Sequence, residues 1–222
     1  MKLDLTTQYL NSLLQRILEL EAAKRDIDYI SDKEKEYFEL VVKNSGFLFR
    51  CYRYALKVFI LDLCKLMEVD EDRNMVSFIR YLLSNYRTIH WSNPVCMEKL
   101  RGFEHRLITL SGMQDYEKLK NARDKFISHD DKDKLNYDID FPISFGWSIL
   151  EALKDIYSKL NYNLTGEKIS FEMTTRPQSE LESLAKYNRI ERIIFDEYHN
   201  SRNEKGLAHK LYWETKRHHS NL

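Results

Sequence analysis

The stretch KLKNARDKFISHDDKD, residues 118 to 133, sets Arg123 and His129 six positions apart at the end of an amphipathic pattern. Their chemistries are complementary at a phosphate. An imidazole with an ordinary pKa of about 6.5 exchanges protons at neutral pH, so His129 can take a proton from an attacking hydroxyl or deliver one to a leaving oxygen. Arg123 stays charged and presents a planar fork, which suits it to a phosphate and to the extra negative charge of a pentavalent transition state. Spacing alone is weakly diagnostic. A solvated helix end uses the same residues, with His at the negative end of the helix dipole and Arg paired to an acid. Two looser pairs, Arg192 with His199 and Arg202 with His209, occur further on. The neighbours set the first pair apart: Asp124 and Lys125 follow the arginine, Ser128 precedes the histidine, and Asp130 and Asp131 follow it.

The elements that must position these residues read as helices. Leu10, Leu13, Leu14, Ile17 and Leu18 predict a first helix over about residues 7 to 27, with Thr6 as its N-cap. SDKE, Ser31 to Glu34, has the form of a capping box opening a second helix towards Met67, interrupted near Asn44 to Gly46. Its second half, YALKVFILDLCKLM, is apolar almost all round and predicts a central buried helix. Tyr52, Tyr54, Phe59 and Phe78 are expected in the core or an interface. DEDRNMVSFIRYLLSN predicts a third helix with acids in its first turn, and Pro94 is expected in the first turn of a fourth. A fifth helix from about Gln114 carries Arg123, and an acidic linker follows it. Pro142 precedes a sixth helix, EKISFEM reads as a short strand, and Pro177 opens a seventh helix through about Tyr198. The expected fold is all-α: a bundle of about five to six helices over residues 1–165, then a C-terminal helical extension with a partly basic tail over 166–222.

Composition narrows the function classes. Only 6 Gly and 3 Pro in 222 residues suit long helices better than a sandwich with frequent turns. Lys plus Arg equals Asp plus Glu at 35 each, so no global positive field draws the chain to nucleic acid or to an anionic membrane, and any RNA contact is local. Cys51, Cys64 and Cys96 form no C-x-x-C pair, which disfavours a disulfide framework and a thiolate zinc site. The acidic run from Asp130 to Asp140 lacks the Gly and terminal Glu of a calcium loop, so no metal and no cofactor is expected. The most apolar run is broken by Asp62 and Lys65, and the expectation is a soluble cytoplasmic protein without a membrane segment. His90 and Cys96 flank a loop with nothing marking either as activated, while His218, His219 and Trp213 read as an RNA-binding tail or as a frayed terminus.

The string from Arg123 to Asp130 resembles the signature of the HEPN superfamily, and more closely its abortive-infection branch, the AbiU-like proteins, where Arg-Asp-Lys leads to a small residue, His and often an acid. ALKVFILDLCKLMEVDEDRNMVSFIRYLLSN is similar to that branch's buried helix and the short helix after it. The resemblance covers about residues 1–165 and is specific around 55–83 and 118–131. It implies a HEPN-like helical bundle, a homodimer, and a metal-independent endoribonuclease of a defence or toxin–antitoxin system. Arg123 and His129 would be catalytic, with Asp124, Lys125 and Asp130 auxiliary. Implied partners are RNA as substrate, a second copy of the chain, and an antitoxin or other protein. The alternative is a non-catalytic HEPN-like module that binds RNA, a nucleotide or a protein.

Helical geometry fits a site shared between subunits. At 100° per residue, six positions place His129 about 120° from Arg123 around the axis. Leu119, Ala122 and Phe126 form an apolar seam between them, and packing two such helices across it would bring Arg123 of one copy near His129 of the other. The expected chemistry is attack by an RNA 2′-hydroxyl, giving a 2′,3′-cyclic phosphate and sparing DNA. Lys125 is a phosphate contact or a plain solvated lysine. Asp124 stands where the wider superfamily favours Asn, and it would either orient a cation or repel the substrate phosphate.

Overall fold

The computed structural model describes residues 5–68, 73–128, 143–172 and 177–200. Among the described residues, seven α-helices and one π-helical turn run in the order α1 Leu5–Ser31, the π turn Phe38–Val42, α2 Gly46–Met67, α3 Met75–Ser84, α4 Met97–Ser111, α5 Gln114–Ser128, α6 Ile143–Thr165 and α7 Pro177–Asn200. The all-α expectation holds. Residues 167–172 are irregular rather than a strand. A lone strand has no ladder to join; instead the Phe171 ring packs edge-on against Tyr157, with centroids 6.1 Å apart.

The chain divides into two compact units, Met1–Ile27 with Arg53–Met173, and Asp28–Tyr52 with Thr174–Leu222. In the first, Leu13, Ile17 and Leu20 of α1, Phe59, Ile60 and Leu63 of α2, Phe78 and Ile79 of α3, and Ile149, Leu153 and Ile156 of α6 have no exposed surface. Burial of each such side chain contributes about 1.5–3 kcal/mol. Polar bonds fix the register of these helices. The Tyr157 hydroxyl donates to the Leu10 carbonyl at 3.2 Å, Lys154 Nζ reaches Glu21 Oε2 at 3.0 Å, and Arg80 Nε reaches Glu104 Oε1 at 2.6 Å. Of the four aromatics expected in the core or an interface, Phe59 and Phe78 are fully buried and Tyr52 half-buried, while Tyr54 is 70% exposed, because the solvent face of α2 falls there.

The loop after α3 closes the C-terminal end of α6. Asn93 Nδ2 donates to the Tyr162 carbonyl, Ser92 Oγ to the Leu164 carbonyl, and the Asn93 amide to the Asn163 carbonyl, all within 3.0 Å. The Asn163 and Leu164 carbonyls are ones that a helix end leaves without backbone partners. Gly166, at φ 79°, stops α6 in the left-handed region, and its amide bonds the Tyr162 carbonyl at 3.0 Å.

In the second unit, Tyr37, Val42, Leu181 and Ala185 form a small core flanked by Tyr29, Ile30, Phe38 and Leu48. The π turn is closed by the Lys43 amide on the Phe38 carbonyl at 2.8 Å, and Asn188 of α7 donates to the Leu40 carbonyl at 3.1 Å.

Several expected caps move. Thr6 lies inside α1 and faces the Tyr81 hydroxyl at 3.4 Å. Ser31 closes α1, and Asp32, not Ser31, accepts from the Glu34 amide at 3.1 Å, so SDKE is a turn after a helix rather than a capping box. The break near Asn44 to Gly46 is present, with α2 starting at Gly46. Asn74 caps α3, accepting from the Ser77 amide at 2.6 Å, and the first turn of α3 holds no acid. Pro94 precedes α4 rather than opening it, the N-cap being Cys96.

Candidate functional site

Arg123 lies in the last two turns of α5. Tyr116, Leu119 and Arg123 fall on one stripe of that helix, and the first two are 3% and 0% exposed. This stripe faces the protein's own core. The seam expected to meet a second copy is therefore partly used within the chain: Leu119 is fully buried and Ala122 half-buried. Phe126, like Lys125, has its side chain outside the described residues, and His129 and Asp130 lie outside them altogether.

The Arg123 guanidinium is held by two carboxylates. Nη1 pairs with Glu68 Oε2, just beyond the end of α2, and Nε donates to Asp124 Oδ1 at 2.9 Å. The Arg123 side chain is 17% exposed, that of Glu68 27% and that of Asp124 59%. Asp124 thus orients a cation, one of the two roles its position allowed. Burial pulls the Arg123 pKa down, but the hydrogen bonds to Asp124 and Glu68 outweigh it and the guanidinium is held above its ordinary value. Nε and Nη1 stand on opposite sides of the guanidinium, so each of its two-donor edges meets one carboxylate, and among the described residues Nη2 is the nitrogen that makes no hydrogen bond.

Two further polar groups sit in the electrostatic field of this pair. Burial pushes the Cys64 thiol up to about 12, with the Arg123 charge pulling the other way and Glu68 adding to the rise. Such a thiol is protonated at neutral pH and unsuited to nucleophilic or metal chemistry. The Tyr116 hydroxyl is buried without a hydrogen-bond partner among the described residues, and its pKa is raised by burial and then by Cys64 and Glu68.

Cys64, Glu68 and Tyr116 were not legible as companions of Arg123. Cys64 and Glu68 are four apart and so share a face of α2's end, but nothing local says which helix that face meets. Of the other residues weighed in the sequence, His90 is exposed, and Cys96 is an exposed N-cap that makes no side-chain capping bond. Among the described residues no group of three or more His, Cys, Asp and Glu side chains is gathered as a metal ion would need, and no helix is long and apolar enough to cross a membrane. No family model, no curated protein and no solved structure matches the chain.

Proposed function

We propose that this chain is a HEPN-type, metal-independent endoribonuclease of a bacterial defence or toxin system, acting as a homodimer with Arg123 and His129 at a composite site. The observation that supports it is the hold on Arg123. A guanidinium held from two sides by Glu68 and Asp124, in the helix that leads towards His129, is oriented before substrate arrives and, among the described residues, keeps Nη2 for a phosphate oxygen. In this reading the 2′-hydroxyl of the substrate attacks the adjacent phosphorus. His129 takes the hydroxyl proton or protonates the departing 5′-oxygen, and Arg123 stabilises the charge that builds on the phosphoryl oxygens. The products are a 2′,3′-cyclic phosphate and a 5′-hydroxyl end. Lys125 and Asp130 are assigned auxiliary roles beside this pair, and the dimer supplies the second half of each site.

A second reading, a non-catalytic HEPN-like module that binds RNA, a nucleotide or a protein, draws on the same contact. Two carboxylates oppose one guanidinium, so part of the charge that a phosphate would meet is already neutralised. Incubation of a mixed RNA pool in EDTA with the wild type, Arg123→Ala and His129→Ala, followed by analysis of the product ends, separates the two. Cyclic-phosphate ends from the wild type alone support the nuclease. RNA binding by all three without cleavage supports the module.

A further inference from the structure

Helix α7 carries two apolar faces, of which one packs into its own compact unit and the other is exposed. At 100° per residue, Leu181, Ala185 and Asn188 fall within about 60° of one another around the axis. That side meets the unit: Leu181 and Ala185 join the small core around Tyr37 and Val42, and Asn188 donates to the Leu40 carbonyl. Ser183, Tyr187, Ile190 and Ile194 form a second stripe about 160° away. Tyr187 is 63% and Ile190 47% exposed, with Leu184 at 50% and Ile193 at 52% on the margins. An apolar surface of this extent, on a helix already anchored by its other side, marks a place that a second molecule covers.

Spacing indicates the kind of molecule. Ser183, Tyr187, Ile190 and Ile194 stand four, three and four residues apart, the alternation by which one helix packs lengthwise on another in a two-stranded coiled coil. Charge then selects the partner. Lys186 and Glu191 are both exposed, stand five residues apart, and lie about 70° to either side of the stripe. In a parallel pair of helices, a residue on one flank meets the residue five positions further along on the facing flank of its neighbour. Lys186 of each copy would therefore face Glu191 of the other, and a two-fold axis makes both pairs at once. An antiparallel pair would instead set Leu184 against Glu191 and Lys186 against Ile193, leaving both charges unmatched. Glu180 extends the stripe into the first turn of α7, where the positive end of the helix dipole offsets part of its repulsion with the same residue of a second copy.

We propose that this stripe is a self-association surface, joining α7 of two copies of the chain as a short parallel coiled coil. It lies in the compact unit that does not contain Arg123, and it stands whether or not the chain is a nuclease. Because the stripe spans only about two heptads, the dimer it forms is expected to be weak, in the micromolar range.

The test is sedimentation velocity of the full chain from about 1 to about 100 µM, across which the wild type is expected to pass from monomer to dimer. Tyr187→Glu combined with Ile190→Glu is expected to weaken the dimer about tenfold or more, with circular dichroism and Tm close to wild type because both side chains point away from the core. Lys186→Glu alone is expected to weaken it several-fold, and Lys186→Glu with Glu191→Lys to restore it, a rescue that a damaged helix would not give. Direction is read by Ser183→Cys in a Cys51→Ser, Cys96→Ser background, oxidised with copper phenanthroline: in the parallel register the introduced thiol faces its own copy, and a disulfide links the dimer. A chain that stays monomeric throughout overturns the proposal, including one that captures a different protein through α7. A dimer that survives the Tyr187 and Ile190 changes places the contact elsewhere and also overturns it. Failure of the charge exchange to restore association, or cross-linking of Ser183→Cys to an Ile194→Cys copy but not to itself, overturns the parallel register.

Discussion

Glu68 and Arg123, 55 residues apart in sequence, form an ion pair that ties the end of α2 to the last turns of α5. Both side chains are more than two-thirds covered, so removing Glu68 leaves a partly buried guanidinium with Asp124 as its remaining carboxylate. Glu68→Ala is expected to lower the unfolding free energy by about 2 kcal/mol, seen as a fall in Tm of about 4–8 °C. Glu68→Gln, which keeps an acceptor but loses the charge, should fall between. A Glu68→Ala protein that melts within about 1 °C of wild type would mean that the pair adds no more than an exposed surface bridge does.

The cysteines should differ sharply in reactivity. Cys96 is exposed and Cys51 half-buried, whereas Cys64 is buried with its thiol pushed up to about 12. Alkylation by iodoacetamide at about pH 8 is expected to label Cys96 first, and Cys64 only after unfolding, because the thiolate is the reacting species. Peptide mapping by mass spectrometry reads this directly. Early labelling of Cys64 in the folded protein would show that the end of α2 opens far more readily than its burial implies.

Asp62 should be a site where removing a charge stabilises. Its pKa is raised, first by burial and then by Glu19, with Lys65 and Arg16 acting in the opposite direction. A carboxyl whose folded pKa lies above its unfolded value contributes stability that is fully present below the unfolded pKa and is lost as pH rises through the folded one. At neutral pH the charged form is therefore the penalised one. Asp62→Asn is expected to raise Tm at about pH 7, with the difference from wild type closing as pH falls towards about 4. A Tm gap that widens on acidification would reverse the sign and refute the assignment.

Gly166 tests the stop of α6. Its φ of 79° is a region where an L side chain is strained, so Gly166→Ala is expected to destabilise by about 1 kcal/mol, or about 2–4 °C in Tm. Asn93→Ala removes the side-chain donor to the Tyr162 carbonyl at the same helix end and should cost about as much. Thermal melts of both variants, followed by circular dichroism, measure it. No change in the first would show that the chain rearranges around the turn without penalty.

Local signals carried far in this protein. The apolar periodicity of α1, the near-uniformly apolar second half of α2, and the prolines before α6 and at the start of α7 each specify an element within about one helical turn of themselves, and each of those helices is present. Local rules failed where two local solutions compete. Ser31 and Asp32 are both acceptors able to serve the Glu34 amide, and Pro94 and Cys96 both fit near a helix start; geometry chose Asp32 and Cys96. The strand expected over EKISFEM is absent from residues 167–172, because a strand needs a partner and the described residues supply none.

Sequence by itself determined that the chain is helical, that α2 is central, and that Arg123 sits near the end of a helix with acids after it, because each of these depends on neighbours along the chain. Only the tertiary structure decided that Glu68 holds Arg123, that Leu119 faces inward, that residues 28–52 group with α7, and that Tyr54 looks to solvent. The periodicity of a helix names its faces but not what each face meets. Contacts across 55 residues are set by how whole helices pack, and that information is carried by no single segment.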